Sequence, residues 1–89
     1  MFEWDEAKRQ TNLAKHKLDF VDAVLMFDGR ASVTAPSNYP VEARFVTTAM
    51  IHGKFYSLVW TWRDQSRRII SFRRARDGEE RSYREAHGR

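Results

Sequence analysis

The first third of the chain places apolar positions at helical spacing behind a short strand. The stretch Met1–Trp4 predicts that strand, and Asp5 is a good N-cap for a helix over residues 7–16. The polar face of this helix is spaced i, i+4, i+7, i+8: Lys8, Asn12, Lys15 and His16. Asp19 caps a second predicted helix, Phe20 to Phe27. Its apolar face, which we expect to be buried, is spaced i, i+3, i+4, i+7: Phe20, Ala23, Val24 and Phe27.

From residue 31 onward the pattern changes to short strands separated by turns. Strands are predicted at residues 31–36, 44–51, 55–63 and 67–76. His52-Gly53 and Asp64–Ser66 supply the turns between the last three, and Asp77 or Gly78 opens a final helix. Strands joined by short turns pair antiparallel. The sequence therefore predicts one α+β domain, residues 1–89, with an antiparallel sheet of four to five strands, two N-terminal helices and one C-terminal helix.

The turn lengths also predict which side chains share a face of the last three strands. A two-residue turn at His52-Gly53 and a three-residue turn at residues 64–66 set the register. The face predicted to form the core carries Phe45, Ile51, Tyr56, Leu58, Trp60, Ile70 and Phe72. The opposite face is predicted to be polar and rimmed by arginine: Arg44, Thr48, Ser57, Thr61, Arg63, Ser71 and Arg73, with Val46, Val59 and Ile69 among them.

The formal net charge of +4 comes entirely from the C-terminal part of the chain. Residues 1–62 hold seven basic and seven acidic side chains, whereas residues 63–89 hold nine arginines and five acids. The segment RRIISFRRAR, residues 67–76, has five arginines and no acid. Arginine forks fit phosphate in two-point contacts, which indicates nucleic acid or an acidic protein as partner. A merely solvated surface fits the composition equally well.

The remaining features of the composition concern the cellular location of the protein rather than its activity. The chain has no cysteine, and no apolar stretch approaches the roughly 20 residues of a membrane helix. Its beginning shows no apolar run behind a basic start, as a signal peptide would. We therefore expect a cytoplasmic protein without a membrane segment.

The side chains available for catalysis favour cleavage of RNA without a metal. His16, His52 and His87 lie far apart and lack metal-ligand spacing. RNA carries its own nucleophile, the 2′-OH, and its cleavage needs a base, an acid and stabilisation of the phosphorane charge. Glu80 and Tyr83 share a helix face just after the arginine segment, and His16 ends the first helix, so all three are candidates for proton transfer. Surface, packing or helix-capping roles for them stay open as alternatives.

Several blocks of the chain resemble BrnT-type toxins in the order and spacing of that family. They are FEWDEAKRQTNLAKHKLDFVDAV near the start, then EARFVT (42–47), VWTWR (59–63), RIISFRRA (68–75) and E-R-x-Y (80–83). The resemblance implies a RelE-like α+β fold and a ribonuclease toxin of a type II toxin–antitoxin pair. It also implies neutralisation by a cognate antitoxin, BrnA, which carries a DNA-binding region and represses the shared operon.

Three residues depart from the pattern of the family that the chain resembles, and one of them is Ala49, which stands where members usually have glycine. Lys17 stands where members usually have a helix-ending glycine, so we expect a strained or altered turn between the first two helices. Phe72 stands where members usually have alanine, and we expect it to change the core rather than the site.

The residues and the resemblance together predict a metal-independent RNA endonuclease without a cofactor. The candidate catalytic side chains are Arg73, Arg74, Glu80, Tyr83 and His16. The candidate RNA-binding side chains are Lys8, Lys15, Arg44, Arg63, Arg68 and Arg76. The expected partners are RNA, a BrnA-like antitoxin and, only through that antitoxin, operator DNA. The alternative is a non-catalytic basic module that binds nucleic acid or an acidic protein.

Overall fold

The computed structural model describes residues 1–88 as a five-stranded sheet flanked by helices. In chain order the elements are β1 (Phe2–Glu3), α1 (Glu6–His16), a 3₁₀ helix (Phe20–Phe27), β2 (Ser32–Ser37), β3 (Arg44–Ile51), β4 (Lys54–Arg63), β5 (Ser66–Arg74) and α2 (Asp77–His87). The strand order across the sheet is β1-β5-β4-β3-β2. The predicted α+β class and the C-terminal helix are confirmed.

One pairing in the sheet differs from the prediction. β1 runs parallel to β5, with Phe2 opposite Arg67 and Glu3 opposite Arg68. The other three pairings are antiparallel. The prediction of a wholly antiparallel sheet was therefore wrong, because β1 and β5 are joined through most of the domain rather than by a short turn.

The two ends of α1 follow from single residues. Asp5 caps the start, since its Oδ1 accepts the Ala7 N–H at 2.8 Å and the Lys8 N–H at 3.2 Å. Lys17 caps the end in a left-handed conformation, φ 61° and ψ 28°, and its N–H donates to the Leu13 carbonyl at 2.9 Å. This conformation strains any residue that has a Cβ, so the strain expected at the turn lies at Lys17.

The second predicted helix is a 3₁₀ helix rather than an α-helix. Its three residues per turn bring every third side chain to the same face, and Phe20, Ala23 and Met26 are accordingly buried. The predicted apolar face was wrong at Val24, which is half exposed, because the spacing of an α-helix had been assumed. Phe27 is partly buried against the core.

The turn between β4 and β5 has two residues, Asp64 and Gln65, instead of the predicted three. The first half of β5 is therefore shifted by one position, and Ile69 lies opposite Trp60. The core position predicted for Ile70 is thus occupied by Ile69, which is buried.

A β-bulge then restores the predicted register in the second half of β5. Ile70 is the extra residue, since Ser71 lies opposite Val59 while Ile69 already pairs with the next residue of β4. From Ser71 onward the side chains alternate as predicted: Phe72 is buried, and Arg73 lies on the other side of the sheet.

The sheet thus has two distinct faces. The core face packs under the 3₁₀ helix and includes Ile51, Leu58, Trp60, Ile69 and Phe72, with Phe45 and Tyr56 packed at its margin. The outer face consists of the alternate residues of β3, β4 and β5: Arg44, Val46, Thr48, Ser57, Val59, Thr61, Arg68, Ser71 and Arg73. The predicted division is confirmed except at Ile69 and Ile70.

Candidate functional site

A groove of about 490 Å³ runs between α1 and β5, a volume typical of small ligand sites. Its lining includes all four residues of the predicted polar face of α1, and Ser71 contributes from the outer face of the sheet. The full lining is Asp5, Ala7, Lys8, Thr11, Asn12, Lys15, His16, Ile70 and Ser71. Lysines, an imidazole and a hydroxyl in one groove can bind an anion and move a proton.

Asn12 fixes α1 against the sheet beside this groove. Its side-chain amide donates to the Phe72 carbonyl at 2.8 Å, and its carbonyl oxygen accepts the Phe72 N–H at 3.1 Å. On the edge of β5 that faces away from β4, the Asn12 amide therefore forms the two hydrogen bonds that a neighbouring strand would form. Because Asn12 is buried and doubly bonded, Lys8 and His16 are presented from a rigid support.

The surroundings of His16 favour the neutral form of its imidazole. Burial lowers the pKa of its imidazole below the usual 6.5, and the charges of Lys15 and Arg73 lower it further. Within residues 1–88 the ring makes no hydrogen bond, and Lys17 rather than His16 meets the helix end, through Nζ to the Ala14 carbonyl at 3.0 Å. At neutral pH the ring is therefore uncharged and available to accept a proton.

The Arg73 guanidinium is bound by a carboxylate instead of facing solvent. Its Nη1 lies 2.8 Å from Glu79 Oε1, and its Nη2 lies 2.8 Å from Glu79 Oε2. The Glu79 carboxylate also accepts the Ser57 hydroxyl at 2.8 Å and the Arg76 N–H at 2.9 Å. Ser57 in turn is 2.7 Å from the Thr48 hydroxyl. This network orients Arg73 on the outer face, and only 13% of its side chain is exposed.

The network keeps Glu79 ionised over almost the whole pH range. Burial raises the pKa of the carboxyl, but the hydrogen bonds from Arg73, the Arg76 backbone and Ser57 outweigh it and lower the pKa to about 2. Glu79 was missed by the sequence reasoning, which selected Glu80. The available signal was the position of Glu79 in the first turn of α2, where a glutamate can reach back to the backbone N–H before the helix.

Of the five predicted catalytic residues only His16 lines the groove; Arg73 lies near enough to lower the pKa of His16, and the other three lie elsewhere. On the surface of α2, Glu80 Oε2 accepts a hydrogen bond from Arg84 Nη2 at 2.9 Å. Tyr83 packs edge-on against Phe55, with ring centroids 5.0 Å apart. Arg74 ends β5, and its Nε lies 3.3 Å from the Phe55 carbonyl. The structure therefore brings together His16 and Arg73 but does not bring these three to them.

The predicted RNA-binding residues are spread around the outer face. Lys8 and Lys15 line the groove. Arg68 pairs with Glu3 at 2.9 Å, and Arg44 pairs with Glu42 at 3.0 Å. Arg63 ends β4, and Arg76 lies at the start of α2 beside a second groove of about 390 Å³.

Two further observations concern residues 1–88 as a whole. No three acidic or histidine side chains among them come together in a way that would hold a metal ion. None of their helices is both long and apolar enough to cross a membrane.

Comparison with known proteins gives the family of the chain. No curated protein matches it. Residues 4–79 match the family described as the ribonuclease toxin BrnT of type II toxin–antitoxin systems. The match covers most of the 89 residues, including α1 with its groove side chains, the whole sheet apart from Phe2 and Glu3, and Glu79. The chain therefore belongs to the BrnT family of ribonuclease toxins.

Proposed function

We propose that this protein is an endoribonuclease that cleaves single-stranded RNA in the groove between α1 and β5, without a metal ion. The observation that carries the proposal is the position of His16. Its neutral imidazole lies in a groove that also holds Lys8 and Lys15, within the field of Arg73. A neutral base among fixed cations suits a reaction that removes a proton while negative charge grows on phosphate.

In the proposed reaction the RNA supplies the nucleophile. His16 takes the proton of a 2′-OH, the freed oxygen attacks the adjacent phosphorus, and the bond to the 5′-oxygen breaks. The leaving oxygen receives a proton from a groove lysine or from water, and the products are a 2′,3′-cyclic phosphate and a 5′-hydroxyl. Lys8, Lys15 and Arg73 stabilise the phosphorane by their charge.

The Arg73–Glu79 pair sharpens the role of Arg73 in this proposal. Glu79 takes one N–H of each terminal nitrogen of Arg73 and offsets part of its charge, so the guanidinium acts on the phosphate through its fixed position and its remaining N–H groups. Such a preorganised charge requires no rearrangement when the transition state forms. The other predicted catalytic residues, Arg74, Glu80 and Tyr83, stay candidates whose substitution tests a contribution from outside the groove.

As partners of the toxin we propose RNA and a BrnA-like antitoxin, with operator DNA engaged only through the antitoxin. Membership of a type II toxin–antitoxin family supports an antitoxin partner. The Trp62 side chain is 49% exposed and stacks with Arg67, whose Cζ lies 4.8 Å from its ring, and such a pair suits a protein contact. A cytoplasmic location stays a prediction.

The test is single-turnover cleavage of a single-stranded RNA oligonucleotide in excess EDTA. We expect cleavage, a cyclic phosphate product, and no reaction on the same sequence made of DNA. His16→Ala should lose at least about a hundredfold in rate, as general base catalysis contributes 10²–10⁴-fold. His52→Asn is the matched control, since it removes an exposed imidazole from a turn at φ 51° that asparagine tolerates.

The outcomes separate the proposal from the alternative of a non-catalytic binding module. RNA binding without cleavage by the wild type, with or without added metal ions, would establish that alternative. Cleavage that stops in EDTA would overturn the metal-independent mechanism while leaving a ribonuclease.

A further inference from the structure

The outer face of the sheet extends well beyond the groove that holds His16. Its opposite end is formed by three residues that lie side by side across the strands: Arg44 on β3, Thr61 on β4 and Arg68 on β5. Between that row and Arg73 lie the half-buried Val46 and Val59. A path along this face therefore runs from the groove, over the apolar side chains of Val46 and Val59, to Arg44 and Arg68.

A tyrosine is stacked at the far end of this path. The Cζ of Arg44 lies 3.5 Å from the centroid of the Tyr39 ring, which places the guanidinium directly against one face of the ring. The Nε of Arg44 is 3.0 Å from Glu42 Oε2, so the guanidinium is held in place. Tyr39 belongs to the loop between β2 and β3, and it is 41% exposed.

The loop that carries Tyr39 is tied to the same end of the sheet. The Thr61 hydroxyl donates to the Ala43 carbonyl at 2.6 Å, which anchors the C-terminal end of the loop to β4. Phe45, the next residue after Arg44, packs on Trp60 at 4.9 Å between ring centroids on the core face. Because strand residues alternate between faces, Arg44 and the ring stacked on it belong to the outer face.

Strand geometry gives the separation between the stack and the groove. Ser57, which pairs with Arg73, and Thr61, which pairs with Arg44, are four residues apart on β4. At about 3.3 Å per residue this is roughly 13 Å along the strand, and two strand spacings of about 4.8 Å lie across it. The direct distance of about 16 Å corresponds to a few nucleotides of an extended single strand.

We infer that Tyr39 and Arg44 form a stacking site for an unpaired nucleobase of the RNA, a few nucleotides from the cleaved phosphate. The inference rests on the proposed function and names a subsite for its substrate. An exposed aromatic ring stacks on any base because every base has a π-face, and Arg44 adds a cation beside it. The site therefore selects for a single strand at that position and not for one particular base.

The surroundings favour RNA over a protein segment as the occupant. The stack is continuous with the outer face, where the guanidinium groups of Arg68 and Arg73, each paired with a glutamate, offer N–H donors along the same path. A nucleobase arrives with a phosphate on either side, so the Tyr39 ring can meet the base while the N–H groups of nearby arginines meet the phosphate. A protein partner on Tyr39 is the competing occupant, and the experiment below distinguishes the two.

The test uses oligonucleotides in which one ribonucleotide among deoxynucleotides fixes the cleavage position. An abasic site is moved stepwise on each side of that ribonucleotide. Single-turnover rates over a range of enzyme concentrations give the half-saturating concentration and the maximal rate separately. The variants are Tyr39→Leu, Tyr39→Phe, which keeps the ring, and Val41→Ala as a control on an exposed residue of the same loop.

We expect Tyr39→Leu to raise the half-saturating concentration about tenfold, with little change in the maximal rate, because stacking adds binding rather than chemistry. Tyr39→Phe and Val41→Ala should behave as the wild type. One abasic position should weaken wild-type binding by a similar factor and have no further effect on Tyr39→Leu. This loss of additivity identifies the base that occupies the site.

Other results would overturn the inference. Unchanged half-saturation in Tyr39→Leu would do so, as would an equal loss for intact and abasic oligonucleotides at every position. A loss of antitoxin binding by Tyr39→Leu with unchanged RNA binding would assign the ring to a protein partner. If the wild type cleaves nothing, the proposed function fails, while the same variants and abasic series measured by equilibrium binding still decide the stacking site.

Discussion

The two faces of the sheet each contain buried residues, but these are held by different interactions. On the core face, Leu58 and Phe72 are almost inaccessible and are surrounded by apolar side chains. On the outer face, Ser57 is equally inaccessible, yet it is packed by hydrogen bonds to Thr48 and Glu79. Apolar packing tolerates many side chains of the right volume, whereas a buried polar network needs every member.

This difference indicates which face of the sheet can hold a reaction site. A face with satisfied polar groups can place a charge such as Arg73 at a fixed point without solvent around it. The network ends where the sheet opens toward α1, and His16 lies there. We therefore expect substitutions on the core face to act on folding and substitutions on the outer face to act on the reaction.

The largest expected effect is on the core face, at Phe72. Phe72→Ala should lower the free energy of unfolding by about 3–5 kcal/mol, because it removes a buried ring and leaves a cavity. Ile70→Ala is the matched control, since the bulge turns Ile70 out of the core. Urea denaturation measures both. A loss at Ile70 as large as that at Phe72 would show that the register of β5 is not the one described.

The next effect is on the outer face, at Arg73. Arg73→Ala should slow single-turnover cleavage by two to three orders of magnitude, or about 2.7–4 kcal/mol, as expected for one lost charge-stabilising donor group. RNA affinity should fall much less, since Lys8, Lys15 and Arg68 remain. Arg73→Lys should recover part of the rate, because it keeps the charge and loses the fork.

The thermal stability of the Arg73 variants must be measured together with their cleavage rates. Arg73→Ala also leaves the Glu79 carboxylate with fewer partners, so rates are compared at a temperature where melting curves show every variant folded. Wild-type cleavage by the folded Arg73→Ala protein would remove Arg73 from the mechanism and leave it as a structural partner of Glu79.

Glu79 and Glu80 allow a sharper comparison within α2. Glu79→Gln should cost about 1.5–3 kcal/mol at pH 7, because a carboxylate with several hydrogen bonds is lost. Glu80→Gln should cost less than about 0.5 kcal/mol, since Glu80 pairs with Arg84 at the surface. Equal losses in thermal melting would contradict the central place given to Glu79.

The pH dependence of the same pair has a definite sign. The folded-state pKa of Glu79 is lowered from 4.5 to about 2, so its contribution to stability is complete above pH 4.5 and is lost as the pH falls toward 2. The difference in stability between the wild type and Glu79→Gln should shrink over that window. The corresponding difference for Glu80→Gln should stay small throughout.

The smallest expected effect concerns the turn after α1. Lys17→Gly should raise the free energy of unfolding by about 0.5–1 kcal/mol, because glycine adopts φ 61° without strain. The hydrogen bond from Lys17 Nζ to the Ala14 carbonyl is exposed and contributes little. Cleavage should be unchanged. A destabilised Lys17→Gly protein would show that the left-handed turn is not strained.

The sequence predicted those parts of the molecule that depend on local periodicity. The polar face of α1, the cap at Asp5 and the start of α2 were read correctly because each depends on neighbours a few residues away. The prediction that Arg73 and Ser57 share a face was also correct, because the unexpected two-residue turn and the bulge at Ile70 shift the register of β5 in opposite directions and cancel.

The remaining features depend on contacts between distant segments. No residues near Phe2 in the sequence indicate its parallel pairing with Arg67. The pairing depends on the folded domain, which leaves that edge of β5 open to β1. The selection of Glu79 over Glu80 as the partner of Arg73 depends on which side of α2 meets the sheet, because a capping position alone does not place Glu79 beside Arg73. Tertiary packing decides such choices between adjacent residues.

The most direct test of the central claim is the pH dependence of single-turnover RNA cleavage by the wild type and His16→Ala in EDTA. We predict that the wild-type rate rises with pH through a midpoint below 6.5 and is level at neutral pH, because the neutral His16 ring is the base. In His16→Ala that rise should vanish and the level rate should fall at least about a hundredfold. An unchanged rise in His16→Ala would contradict the claim and place the base elsewhere.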